Sequence, residues 1–322
     1  MSKETDYRKA MKFETPEFIP VGAWILPAAF IAHGEELKKI VLKYPVAFPA
    51  YQEDKRYDVA AGSYLEGSHT DAWGCVWENV HTGREAIVRQ HPVKTREAVL
   101  SLKLPIRDDG FPHGFMYLRL LDLRGFEEVM IDFAEEPPEL KVLIDKVLKH
   151  NLRQAEIRLK QLEGKKGEIV YFGDDLGMQT GLAIGAEKWR KYLKPCFKQI
   201  YGKFKDAGHY VYMHTDGHIY EIIPDLVECG VDIINPQFRA NGLENLVRVC
   251  KGKVCVDLDL DRQLLPFCKP ADIDAHVKIA VKALGDVKGG LMLKGEVDDS
   301  VPLKNVEALG AALEKYRGYF SK

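Results

Sequence analysis

His214 and Asp216 stand two positions apart near the end of YVYMHTDG, the stretch from Tyr210 to Gly217. An imidazole beside a carboxylate can relay a proton, orient a nucleophile or bind a cation. The stretch opens with apolar residues and closes on polar, turn-forming ones, which predicts a strand giving way to a loop. Residues i and i+2 of a strand face the same side, so both side chains can enter one pocket. The next segment, GHIYEIIPDLVECG, carries helical spacing at Ile219, Ile222, Ile223 and Leu226. Chemistry at the C-terminal end of a strand that leads into a helix is the habit of βα-repeat barrels.

Other apolar stretches also end in polar side chains. They supply Arg119, then Asp174, Asp175 and Gln179, then Asn235 and Gln237, then Asp257 and Asp259, and last Lys294 and Glu296. His214, Asp216 and Asp175 are the expected catalytic residues. Asp174, Gln179, Asn235, Gln237, Asp257, Arg119 and Glu296 are the expected substrate contacts. Each has a structural reading too: Asp257 can cap a helix or pair with Lys294, and Asn235 before Pro236 can form a turn. A carboxylate-rich ring suits a substrate that offers hydrogen-bond donors, as the ring amide and amino group of a pterin do. The same carboxylates could hold a divalent metal, and His214 with Asp216 and Glu296 could form a zinc site. No cysteine falls at a strand end in the right place, so no metal is expected.

The elements that must position these residues alternate. Apolar strand candidates lie at 18–30, 46–51, 114–121, 168–172, 210–214, 231–237, 253–261 and 289–297. Helical patterns lie between them: from Gly34 to Pro45, from about Pro137 to Leu162, from about Glu187 to Asp206, and near 242–250, 271–284 and 303–317. Eight short apolar strands alternating with helices predict an α/β fold, a (βα)8 TIM-type barrel spanning 1–322 as one domain. A doubly wound open sheet is the alternative, but no GxGxxG follows the first strand. Residues 1–16 read as a polar arm. Residues 52–92, rich in glycine, aromatic and β-branched residues, read as an antiparallel hairpin insertion at the barrel's top. Trp73 and Trp77 there could line a binding wall or simply pack together.

Lys plus Arg number 46 against 48 Asp plus Glu, a net charge of −2, which argues against nucleic acid as a partner. No apolar run is long enough for a membrane span, and the charged N-terminus has no signal-peptide core, so a cytoplasmic protein is expected. The six cysteines are scattered without a CxxC, as buried free thiols would be.

GDDLGMQTGL, KPCFKQIYGKFKDAGHYVYMHTDGHIYEIIPDLVECGVDIINPQ, VPLKNVEAL and DAWGCVWE before HP together resemble the uroporphyrinogen decarboxylase superfamily, in order and along nearly the whole chain. The resemblance implies a (βα)8 barrel and often a homodimer. The porphyrin decarboxylases of that superfamily grip substrate carboxylates with an arginine motif after the first strand. Here that place reads WILPAAF, without arginine. A second branch moves methyl groups from a corrinoid protein to a thiol, with zinc held by a His-x-Cys and a later Cys. The matching positions here are His214, Thr215 and Asp216, and LKGEV near the end also lacks cysteine. The resemblance therefore points to a third branch, the methylcorrinoid:tetrahydrofolate methyltransferases of anaerobic one-carbon metabolism. Such an enzyme uses tetrahydrofolate as substrate and methylcobalamin on a partner corrinoid protein, and needs no zinc. His214 and Asp216 would then take the proton from N5 of the folate. The alternatives are a methyl donor:corrinoid protein methyltransferase, a decarboxylase-like enzyme, or a non-catalytic tetrapyrrole-binding protein.

Overall fold

The computed structural model describes residues 3–60 and 62–321, which form two compact units.

The first unit comprises the described residues of 1–67, 79–86 and 236–322. It holds the strands β1 (Val21–Ile25), β8 (Cys255–Asp259) and β9 (Leu291–Val297). They pair in parallel in the order β1-β9-β8, with Val21 opposite Leu293 and Asp259 opposite Lys294. Lys294 and Glu296 share one half-buried face of β9, while Leu291, Leu293 and Val297 are buried on the other. The helices Pro270–Leu284 and Leu303–Tyr316 pack on each other and carry the apolar periodicity read from the sequence. Two expectations change here. The expected polar arm contains a helix, Lys3–Lys12. Residues 46–51 form turns rather than a strand. Pro49 has no amide for a ladder, and Tyr51 instead uses its hydroxyl, which accepts from the Ile25 amide at 2.8 Å.

The second unit comprises 68–78 and 87–235. Apart from a terminal residue of three strands, it holds β2 (Gly67–Thr70), β3 (Val76–Asn79), β4 (Ile87–Gln90), β5 (Ile169–Gly173), β6 (Tyr210–Thr215) and β7 (Ile233–Pro236). β2-β3-β4 make a small sheet in which β3 and β4 run antiparallel, within the expected β-rich insertion. β5 and β6 are parallel, with Ile169 opposite Tyr210 and Gly173 opposite His214, and β7 follows β6 in the sheet. The long helix Pro138–Gln161 buries Leu140, Leu143, Ile144 and Val147 on one stripe.

GFMYLRLL, expected as the third strand, is a helix at Tyr117–Arg124. Among its buried residues, Tyr117, Leu120, Leu123 and Arg124 follow a spacing of three and four, and a short apolar run does not distinguish the two states. With 46–51 and 114–121 lost as strands, the described residues contain six parallel strands, not the expected eight. The α/β class holds. No helix among the described residues is long and apolar enough to cross a membrane.

Candidate functional site

The ends of β5 and β6 are stapled together by backbone. The Asp174 amide donates to His214 O at 3.1 Å, the Gly177 amide donates to Asp216 O at 3.2 Å, and the Thr215 hydroxyl accepts from the Leu176 amide at 3.0 Å. Gly177 and Gly217 touch main chain to main chain: a Cβ on Gly217, where φ is +83°, would stand 2.2 Å from Gly177. Only glycine allows that approach.

This close pairing gathers four side chains. Asp175 Oδ1 accepts from the Asp216 amide at 2.9 Å. His113 Nε2 lies 3.1 Å from Asp175 Oδ2. His214 Nε2 lies 3.9 Å from Asp175 Oδ1 and 3.4 Å from Asp216 Oδ1. On its other side, His214 Nδ1–H donates to Asn235 Oδ1 at 2.7 Å. Because a carbonyl oxygen can only accept, this bond fixes the proton on Nδ1 and aims Nε2 at the two carboxylates. Burial works against the charge on Asp175, but the His113 imidazole, the Asp216 amide and His214 together hold its carboxyl below the usual range. The nitrogens of His113 and His214 and an oxygen of Asp175 all lie within 4.8 Å of one another, so these three residues can hold a metal ion.

Asp174 has a different task. It is fully buried, and its two oxygens accept from the amides of Met116, Tyr117 and Leu118 at 3.2, 2.5 and 2.9 Å. These are the donors at the start of the helix Tyr117–Arg124 that lack a partner within the helix, and Asp174 caps them from 56 to 58 positions away. Burial pushes its carboxyl up to about 7, against the pull of the amides. The Gly114 amide also donates to Gly173 O at 2.7 Å, so β5 grips the segment that carries His113.

The structure gives several of the expected residues other contacts. Asp174 positions a helix, with both oxygens engaged by its amides. Asn235 is buried and orients His214. Arg119 lies on a helix, buried, with Nη1 2.8 Å from Asp71 Oδ2 and 3.5 Å from Asp122 Oδ2. Trp73 is buried against Arg119 and His150, and the Trp77 indole donates to Asp71, so both tryptophans pack rather than line a wall. Gln179 is exposed on the loop after β5.

Gln237, Asp257 and Glu296 belong to the first unit. Glu296 binds Arg262, which also lies 3.6 Å from Asp259. Gln237 bridges to Asp259 and precedes the short helix Phe238–Asn241. Asp257 lines a cavity of about 300 Å³ together with Trp24, Met292 and Lys294. His113 was missed because it lies in the loop PHG, outside any periodic element. A histidine between proline and glycine just ahead of an apolar run was the only signal available.

The chain shares its fold with a solved methyltransferase from Methanosarcina mazei, at a TM-score of 0.65 and 18% identity, over 98% of this chain and 99% of the other. No curated protein matches it in sequence. The sequence pattern of the family described as Uroporphyrinogen decarboxylase (URO-D) matches residues 120–316, more than half of the chain, including Asp175, His214 and Asp216 but not His113. The chain belongs to the uroporphyrinogen decarboxylase family.

Proposed function

We propose that the protein is a methyltransferase that moves a methyl group from a methylcorrinoid protein to N5 of tetrahydrofolate. The observation that carries this reading is the cluster of Asp175, His214 and Asp216 at the ends of β5 and β6, in which an aspartate follows the histidine at the position where the thiol-methylating branch has cysteine. The fold shared with a methyltransferase supports the reaction class. Without that cysteine, the zinc set that turns a thiol into a thiolate does not fit these residues. An amine acceptor does not need it.

In this reaction the N5 lone pair attacks the methyl carbon, and the electron pair of the carbon–cobalt bond stays on cobalt as Co(I). The proton left on N5 passes to Asp216, with His214 3.4 Å away to share it. Asp175 accepts from the amide and amino edge of the pterin. Positioning supplies most of the acceleration, because the methyl group arrives activated.

His113 favours a second reading, transfer from a methylated substrate to Co(I). Its half-exposed ring, oriented by Asp175, is placed as an acid for a leaving group.

The test is to mix the protein with methylcobalamin and tetrahydrofolate and follow cob(I)alamin by its spectrum and methyltetrahydrofolate by mass spectrometry. Both products should appear, and Asp216→Asn should slow them by about 10²–10⁴-fold. Full activity in both Asp216→Asn and Asp175→Asn would sink the assignment. Turnover only with a methylated substrate and Co(I) would select the second reading.

A further inference from the structure

We infer that His113, Asp175 and His214 form a binding site for a divalent transition-metal ion of the zinc type. The inference goes beyond the proposed reaction and does not depend on it. It also replaces the sequence-based expectation of a site without metal, which considered only cysteine sets and the set of His214, Asp216 and Glu296.

Three segments far apart in sequence converge here: the loop before the helix Tyr117–Arg124, the end of β5 and the end of β6. Their donor atoms lie within 4.8 Å of one another. Metal–ligand bonds of about 2.0–2.2 Å place neighbouring ligands roughly 3 to 3.5 Å apart. His113 Nε2 lies 3.1 Å from Asp175 Oδ2 and His214 Nε2 lies 3.9 Å from Asp175 Oδ1, so an ion between them would draw the two imidazoles closer around the carboxylate. Two imidazoles and one carboxylate are a known ligand set for first-row ions, with positions left open for a substrate.

The surroundings fit a ligand set. Metal-bound histidines commonly donate their second ring N–H to a protein carbonyl or carboxylate, which fixes the tautomer. Asn235 does this for His214, whose Nε2 lies on the side of Asp175 and Asp216. His113 is held by the backbone around it, through the Gly114–Gly173 hydrogen bond and the Asp174 cap. With an ion in place His214 becomes a ligand, and Asp216 alone receives the substrate proton.

Untagged protein, stripped with chelator and dialysed, is titrated with Zn²⁺ by calorimetry and with Co²⁺ by its visible d–d bands, with no methyl donor or folate present. The expected result is one ion per chain. His113→Ala and the bulkier His113→Gln should each weaken binding by about 10- to 100-fold. The His113 side chain is 47% exposed, so the variants should keep the fold, which circular dichroism checks. Mg²⁺ should not compete, since two of the three donors are imidazole nitrogens. Failure of the wild-type chain to bind one ion overturns the inference by itself, as does unchanged affinity in both His113 variants. Displacement of Zn²⁺ by Mg²⁺ would overturn it too. A chain that binds zinc but transfers no methyl group would remove the proposed reaction and leave the metal site standing.

Discussion

Gly173 lies beneath the imidazole of His113: a Cβ built on the glycine would stand 2.5 Å from His113 Nδ1. The ring is half exposed and can swing away, whereas the strand cannot move. Gly173→Ala is therefore expected to cost less than about 1 kcal/mol in stability while breaking the His113–Asp175 contact. Urea unfolding should detect little change. Zinc affinity, measured by calorimetry, should fall by about 10-fold or more.

Asp174 satisfies three amides at the start of the helix Tyr117–Arg124. Replacing it with alanine leaves buried donors without acceptors, each costing about 1–3 kcal/mol. Asp174→Ala should therefore destabilise the chain by roughly 3 kcal/mol or more, measured by urea unfolding. Asp174→Asn keeps one acceptor oxygen and should fall between the two.

Burial pushes the Asp122 carboxyl up from 3.8 to about 6, with Arg119 opposing and Asp71 adding to the rise. The folded chain thus holds a proton that the unfolded chain has released between those values. Stability falls as pH rises through that window, and a buried carboxylate at neutral pH costs on the order of 1–3 kcal/mol. Arg119 keeps Asp71 as a partner at 2.8 Å if Asp122 is neutralised. Asp122→Asn should raise the melting temperature near about pH 7.5 and lose that advantage near about pH 4. An unchanged difference between the two pH values would contradict this account.

Burial pushes the thiols of Cys75, Cys196 and Cys250 up to about 12 and that of Cys229 to about 11. Complete burial raises Cys255 well above its ordinary value, and Cys268, the one half-buried thiol of the six, is raised too. The thiolate is the reactive form, so the native chain should react slowly with a thiol reagent. Cys268 should be labelled first, and all six only after unfolding, as counted by mass spectrometry.

Much of the second unit is legible in the chain itself. β5 and β6 read as strands because their apolar residues are local and continuous, and the polar residues that end them, Asp175, His214 and Asp216, lie together in the fold. The long helix Pro138–Gln161 reads correctly because burial of one stripe imposes a 3.6-residue period. These are effects between residues a few positions apart, and a sequence records them directly. The helix at Tyr117–Arg124 and the placement of His113 are not recorded that way. They depend on Asp174 and Gly173, which hold 114–118 by hydrogen bonds across more than fifty positions. A short apolar run takes whichever form its distant partners complete, and a loop histidine becomes part of a site only where another strand delivers its carboxylate. The amino-acid order by itself determined the six parallel strands and three of the four side chains gathered at the ends of β5 and β6. Tertiary hydrogen bonding and burial decided which carboxylate caps a helix, which amide aims an imidazole, and which three side chains can share one ion.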